Sequence, residues 1–311
     1  MRALAAVAIA AILLAAVALP LATFTIVLAL FGPAHIASEL RYLDHRFSAR
    51  LGPSRVKTLV LLLAAAVVTR LLGTLGVLPP APMAALEIAL AGAAVLMLVP
   101  SGGPLRWSAA ALALVLVAGA VMAPLLTLLI LAVTHNLTPL GFLAERLRGR
   151  ERRRALVLGC IGFIAIPLVV ASGLPFALLS NLGWIAPQAA VFPSAGSLES
   201  NLGAYVPRWA LDEGWALHAF SACVFAQCMH YVAVIGVLPA LIPAGSAPIL
   251  PWPTTRRFVV MLIVLAGAMA LGFSFDYEVA RHVYALAALL HAWLELPLLL
   301  LALEPIYKPA E

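Results

Sequence analysis

Apolar runs of eighteen or more residues recur along the chain and constrain its fold more than any other feature. Of its 311 residues, 64% are hydrophobic and only 10% are charged, whereas about a quarter of the residues in soluble domains are charged. Each run is long enough to cross, as a helix, a hydrocarbon core about 30 Å thick. The sequence therefore predicts an all-α, polytopic transmembrane helical bundle that forms a single integral membrane domain over residues 1–311.

The apolar runs divide into nine predicted spans. The spans cover residues 5–32, 57–79, 82–100, 107–122, 124–144, 155–178, 214–240, 257–275 and 279–303. Spans four and five meet at Pro124, and they could instead form one long kinked helix, since neighbouring helices allow proline to be tolerated inside membrane helices.

Loop charges predict the orientation of the bundle. Arginine and lysine concentrate in the loops after spans one, three, five and seven, whereas the other loops carry Glu199, Asp212, Glu213, Asp276 and Glu278. Under the positive-inside rule the basic loops are cytoplasmic, with the N-terminus outside and the C-terminus cytoplasmic. The net charge of +6 is therefore explained by membrane orientation and does not indicate nucleic-acid binding. We expect the lipid bilayer as the partner and a bacterial inner (plasma) membrane as the location.

Two segments outside the spans are irregular. Residues 34–56 combine an apolar stripe with basic residues, as interfacial helices do, and are predicted to be a cytoplasmic interfacial segment. The segment is expected either to continue the first helix past the membrane or to turn along the inner membrane surface. Residues 180–213 are predicted to be an extracytoplasmic loop rich in Pro, Gly, Ser and Asn. A loop of this length is often a lid, and the alternative is a surface connection anchored by its aromatic residues.

Four histidines lie within or at the edge of four different apolar segments: His35, His135, His230 and His291. Ionisable groups are costly in a membrane interior, so such residues commonly belong to a metal site, a proton path or a ligand pocket. The simpler alternative for each is a hydrogen bond to a neighbouring helix. We predict that the four bind one metal ion.

Three further polar residues accompany these histidines. Glu39 and Glu295 each follow a histidine by one helical turn, and Gln227 precedes His230 by three residues. They are predicted to be additional ligands or to orient the histidines. A site rich in imidazole with one or two carboxylates suits Fe(II), Zn or Cu. The predicted topology places this metal site in the inner half of the bilayer, and Glu295 is the carboxylate that we expect to belong to it.

Four short motifs resemble a known family. GPAHIASELRYLD follows the first predicted span, THN lies in the fifth, the histidine of CMHYVAV in the seventh, and HAWLE in the last. Their order is similar to that of the histidine positions in bacterial relatives of the Brp/Blh-type β-carotene 15,15'-dioxygenases. The resemblance implies an all-helical fold, iron held by intramembrane histidines, and oxidative cleavage of a carotenoid to retinal. The family's closely spaced histidine pair in a tryptophan-rich helix is not found here.

Two other functions compete with a membrane-embedded non-haem iron oxygenase acting on a lipophilic substrate. A haem-binding electron-transfer protein needs only two histidines from different helices as axial ligands. A proton- or metal-coupled transporter would use the same buried groups as a path. The absence of an internal repeat in the sequence counts against transporter folds built from duplicated halves.

Overall fold

The computed structural model describes residues 2–98 and 105–303, and over these ranges it is all-helical, without strands. The predicted cytoplasmic C-terminal residues 304–311 lie outside the described ranges. The thirteen α-helices of the described residues are α1 Arg2–Ala18, α2 Pro20–Thr74, α3 Pro80–Leu98, α4 Leu105–Met122, α5 Pro124–His135, α6 Thr138–Arg146, α7 Gly149–Cys160, α8 Ile166–Ala171, α9 Leu174–Ser180, α10 Leu198–Leu202, α11 Ala216–Val232, α12 Thr255–Phe275 and α13 Tyr277–Leu303. Short π-helical turns at Ile161–Ala165 and Ala233–Val237 continue α7 into α8 and extend α11.

Among the described residues, seven helices are long and apolar enough to cross a membrane. An eighth span results if α5 and α6, which are bent by 44° at their junction, cross together. The seven include α2, α3, α4, the continuous run of α7 and α8, the extended α11, α12 and α13. The all-helical class and the presence of several helices able to span a membrane are therefore as predicted, and both are compatible with an integral membrane protein.

The prediction of nine spans differs from this count because of α2. Its 55 helical residues have a contour of about 80 Å at 1.5 Å per residue, more than twice a hydrocarbon core about 30 Å thick. The backbone leaves the helical conformation at Gly52. Its φ of 73° is readily adopted by glycine, which has no Cβ atom. Residues 20–51 and 53–74 thus form two helical segments, which were predicted to belong to different spans. Nine spans require that both segments of α2 cross the membrane and that α5 and α6 cross together, and this remains a prediction.

The first predicted span also begins differently from the expectation. The apolar run 5–32 is divided at Pro20, where α1 ends and α2 begins. Proline favours such a boundary because it lacks a backbone N–H and is suited to the first turn of a helix. The helix then continues through residues 34–51, and Tyr42 and Phe47 are fully buried. The predicted interfacial segment is therefore a continuation of α2 with a buried face.

Helices α4 and α5 are separate, as the nine-span prediction required. A side chain at Gly119 would meet the side chain of Thr127 within 3 Å. Eight residues span about 12 Å along a straight helix, so the chain must fold back at Ala123, whose φ and ψ are not helical. The alternative of one long helix through Pro124 is thereby wrong.

Three of the four basic loops meet at one end of the bundle. Arg41 lies over the ring of Phe258, 4.4 Å from its centroid, at the beginning of α12. Arg46 pairs with Glu145 at the end of α6, and Arg146 donates to the carbonyl of Leu241. These contacts agree with a common side for the basic loops.

Residues 180–213 cover the other end. Ser194 donates to the carbonyl of Phe273 at the end of α12, and Asn201 accepts from Arg281 in the second turn of α13. Apolar side chains of the segment are buried against α2, α11 and α12: Phe192, Leu198, Leu202 and Val206. The segment, which we call the cap, is packed onto the bundle over much of its length.

Candidate metal centre

The four predicted histidines converge from four different helices. His35 lies in α2, His135 is the last residue of α5, His230 lies in α11 and His291 in α13. Each offers a ring nitrogen, and these four atoms all lie within 4.8 Å of one another. His35, His230 and His291 are almost fully buried. The four side chains, here called the histidine cluster, could hold one metal ion.

Three of the histidines face one another through their Nε2 atoms. His291 Nε2 lies 3.1 Å from His35 Nε2 and 3.2 Å from His135 Nε2. A neutral imidazole carries one proton, so His291 can donate to only one of these neighbours. A cation at the usual 2.0–2.1 Å from each nitrogen would separate them by about 2.9 Å at a right angle and about 3.4 Å at the tetrahedral angle. The observed distances therefore suit ligands of one metal.

Unsatisfied buried atoms give a second reason for the same conclusion. Neither ring nitrogen of His230 has a hydrogen-bond partner among the described residues, and the Nδ1 atoms of His35 and His291 also have none. Buried polar groups are nearly always hydrogen-bonded, so each exception needs an explanation. A cation bound to Nε2 of His230 would account for at least one of them.

A break between two helices places His135 in the cluster. Helix α5 ends at His135 and α6 begins at Thr138, with Pro139 in its first turn. Proline at that position cannot donate to the preceding turn, so the helix ends and restarts there. The side chain of His135 keeps 17% of its surface exposed, and it borders a cavity. The cluster is thus open on the side of His135.

Glu295 orients His135 rather than the histidine one turn before it. Its Oε2 lies 2.5 Å from Nδ1 of His135, and its Oε1 accepts a hydrogen bond of 2.8 Å from Thr138. Metal-bound histidines commonly donate their second ring N–H to a carboxylate, which fixes the tautomer and the ring orientation. With its proton on Nδ1, His135 presents Nε2 as the free lone pair toward the cluster.

Glu39 also approaches the cluster. Its Oε2 lies 3.6 Å from Nε2 of His230 and 4.0 Å from Nε2 of His291. The side chain is fully buried, and neither oxygen has a hydrogen-bond partner among the described residues. Glu39 is thus placed to supply a carboxylate oxygen to a cation shared by the histidines.

Gln227 lies one turn away from the cluster and contacts a tyrosine. Its Nε2 donates to the hydroxyl of Tyr231, which is 2.8 Å from the hydroxyl of Tyr284. The ring of Tyr231 stacks on His35 with a centroid separation of 4.0 Å. The tyrosine pair was missed at the sequence level, although Tyr231 directly follows His230.

A cavity of about 840 Å³ opens beside the cluster. His35, His135 and His291 form part of its wall, and most of the remaining wall is leucine, alanine and other apolar side chains from α2, α5 and α13. Ligand pockets usually have about 300–1,000 Å³ and are mainly apolar with a few polar groups. A lipophilic molecule could therefore lie next to the cluster.

The remaining ionisable residues in the apolar segments lie elsewhere. Arg70 and Glu87 form a two-pronged salt bridge between α2 and α3, with Nε to Oε1 at 2.6 Å. His218 packs on Phe176, with ring centroids 4.5 Å apart, and is outside the cluster. His45 contacts Ser246 at the basic end of the bundle.

Comparison with known proteins adds no relative. No protein-family model, no curated protein and no solved structure matches the chain. The function of the chain is accordingly inferred from the geometry of the histidine cluster and its cavity.

Proposed function

We propose that this protein is a membrane-embedded, histidine-coordinated non-haem iron oxygenase that acts on a lipophilic substrate. The observation that carries the proposal is the convergence of His35, His135, His230 and His291 within 4.8 Å, next to an apolar cavity. An ionisable cluster of this kind inside apolar helices is costly and is typically retained for function.

The chain's own residues have distinct roles in this proposal. The four histidines hold the ion, Glu295 fixes the tautomer of His135, and Glu39 is near enough to complete the ligand set. The cavity excludes water and positions the substrate beside the face that includes His135. Iron, when bound, would supply the oxygen chemistry that no protein side chain provides.

Iron is favoured over zinc and copper by two considerations. Imidazole ligands suit Fe, Zn and Cu alike, whereas sites of histidine and carboxylate with an open position are typical of non-haem Fe(II) oxygenases. The resemblance of the histidine motifs to the Brp/Blh-type β-carotene dioxygenases points the same way. Under that resemblance a carotenoid or another apolar chain is the expected substrate class.

The haem alternative fits the geometry less well. A haem would need two of these histidines as ligands, with space for a porphyrin between their rings. The Nε2 atoms of His35, His135 and His291 approach to 3.1 and 3.2 Å, and four imidazoles occupy the space. A transporter remains distinguishable by measuring metal flux into sealed vesicles.

Metal content of histidine variants tests the proposal. Purified protein is expected to contain about one iron per chain, and His230→Ala is expected to lose it because a ligand is removed. His218→Ala is the matched control, since His218 lies in the same helix but packs on Phe176 outside the cluster. Full iron occupancy in alanine variants of His135, His230 and His291 would refute a shared site.

A second measurement separates iron from haem. An optical spectrum of the iron-loaded protein is expected to lack the intense absorption band of a porphyrin. A porphyrin band that disappears in His291→Ala would overturn the non-haem assignment and support the electron-transfer alternative.

A further inference from the structure

The cavity extends far from the histidine cluster along one face of α13. Arg281, Tyr284, Ala288, His291 and Glu295 follow one another at intervals of three or four residues, and all of them line the cavity. Such spacing places side chains on a single helix face. Arg281 and His291 are ten residues apart, which is about 15 Å along the axis.

This distance matches the length of one lipid chain. A hydrocarbon core about 30 Å thick contains two leaflets, so one extended chain occupies about 15 Å of it. Between the two ends the wall is apolar, with side chains from α2, α5 and α13 such as Leu28, Leu128 and Leu289. The cavity is thus long enough for a single chain that ends beside the cluster.

The end of the cavity away from the cluster is cationic. Arg281 is half-buried, donates to the amide oxygen of Asn201 at 3.3 Å, and forms no salt bridge with a carboxylate of the described residues. Arg208 of the cap lines the same cavity. Arg70, which also borders it, differs because Glu87 neutralises its charge.

A cationic group without a carboxylate, at the end of an apolar cavity, suits an anionic headgroup. Guanidinium groups bind carboxylate and phosphate oxygens through paired, charge-assisted hydrogen bonds. The cap contributes both Asn201, which holds Arg281, and Arg208 to this end. The cap would therefore help to bind the headgroup in addition to covering the bundle.

We propose that the cavity takes a single-chain anionic amphiphile, such as a long-chain carboxylate, with its headgroup on Arg281 and its chain directed toward His291. The assignment of this molecule as substrate rests on the proposed function, whereas its binding by Arg281 does not. In this orientation the far end of the chain, not the carboxylate, lies at the metal cluster.

Equilibrium binding to the purified full-length protein in a non-ionic detergent tests the proposal. Labelled hexadecanoate is expected to bind more tightly than hexadecanol, which has the same chain without the charge. Arg281→Gln is expected to weaken binding of hexadecanoate by about tenfold to a hundredfold, because a charge-assisted hydrogen bond is lost. Its effect on hexadecanol is expected to be small.

Two control variants show whether the effect of Arg281→Gln is specific to the charge at this position. His282→Gln changes the neighbouring side chain, which is exposed and does not line the cavity, and is expected to bind like the unaltered protein. Arg281→Lys keeps the charge and is expected to retain the preference for hexadecanoate, which also guards against a folding defect in Arg281→Gln. Equal affinities for hexadecanoate and hexadecanol in the unaltered protein would overturn the proposal.

Two further experiments identify the lipid that supplies the headgroup and the residues that bind it. Competition by hexadecanoate without competition by dihexadecanoyl phosphatidylglycerol supports a single-chain ligand, and competition by the phospholipid alone overturns it. Binding that persists after removal of metal by a chelator supports a headgroup on Arg281, whereas binding that needs the metal places the carboxylate at the cluster and refutes the orientation.

These measurements separate the two proposals. If the protein purifies without iron but binds hexadecanoate through Arg281, the proposed oxygenase function is wrong and the binding of an anionic amphiphile is retained. If the protein purifies with one iron per chain but shows no preference for hexadecanoate, the binding proposal is wrong and the oxygenase function is retained.

Discussion

Replacement of Glu295 by glutamine tests the mechanism by which the protein fixes His135. In the unaltered protein the carboxylate accepts from Nδ1 of His135 and also contacts Thr138. The amide of glutamine can still turn its oxygen toward Nδ1 and its NH₂ group toward the Thr138 hydroxyl. The hydrogen-bond geometry then survives, but the negative charge behind the imidazole is lost.

The size of the effect follows from this distinction. Loss of a partner that orients a metal ligand typically reduces metal affinity by 10- to 100-fold. Since glutamine preserves an acceptor for Nδ1, we expect Glu295→Gln to lie near the lower value, about tenfold or about 1.4 kcal/mol. Glu295→Ala removes both the charge and the acceptor, and the expected loss is about a hundredfold.

Competition with a chelator of known affinity for Fe(II) measures this series. Glu87→Gln is the matched control because it makes the same change in a buried carboxylate that contacts Arg70 instead of the cluster. We expect it to lower thermal stability and to leave iron affinity unchanged. Iron affinities of Glu295→Gln and Glu295→Ala equal to that of Glu87→Gln would refute the orienting role.

Three other predictions concern the surroundings of the cluster. A methyl group at Gly32 would lie 2.6 Å from the ring of Tyr284, so Gly32→Ala is expected to separate the Tyr231–Tyr284 hydroxyl pair and to lower the melting temperature, and an unchanged melting temperature would contradict this. Asp44 accepts from two backbone N–H groups and from the indole of Trp252, so Asp44→Ala is expected to cost about 3 kcal/mol and to speed tryptic cleavage at Arg256 and Arg257 in the first turn of α12, whereas an unchanged cleavage rate would argue against it. Removal of metal is expected to lower the melting temperature, since a ligand at a thousand times its Kd contributes about 4 kcal/mol, and equal melting curves with and without chelator would mean that the folded protein has no such site.

The sequence was sufficient to identify the four histidines but not the contacts among them. Hydropathy alone marks His135 and His291 as unusual because each interrupts an apolar run. The pairing of Glu295 with His135, instead of with its helical neighbour His291, depends on how α5 and α13 pack, and no local pattern specifies that. The approach of Glu39 to His230 is long-range for the same reason.

Some of the other structural features can be predicted from the sequence and others cannot. The periodic stripe from Arg281 to Glu295 is predictable from the sequence, because its members recur at intervals of three or four residues. The extension of α2 past Pro33 was one of two alternatives, and the sequence could not choose between them because proline in a membrane helix either ends it or is accommodated by neighbouring groups. The pairing of Arg70 with Glu87 was predictable because a short loop joins their helices.

The break between α5 and α6 also has an electrostatic consequence. The peptide dipoles of a helix leave about half a negative charge at its C-terminus and about half a positive charge at its N-terminus. His135 ends α5, and Thr138, which contacts Glu295, begins α6. The last carbonyl groups of α5 are occupied, because they accept from the side chains of Asn136 and Thr138. The positive end of α6, by contrast, lies beside the Glu295 carboxylate, so the backbone itself favours that negative charge inside the apolar bundle.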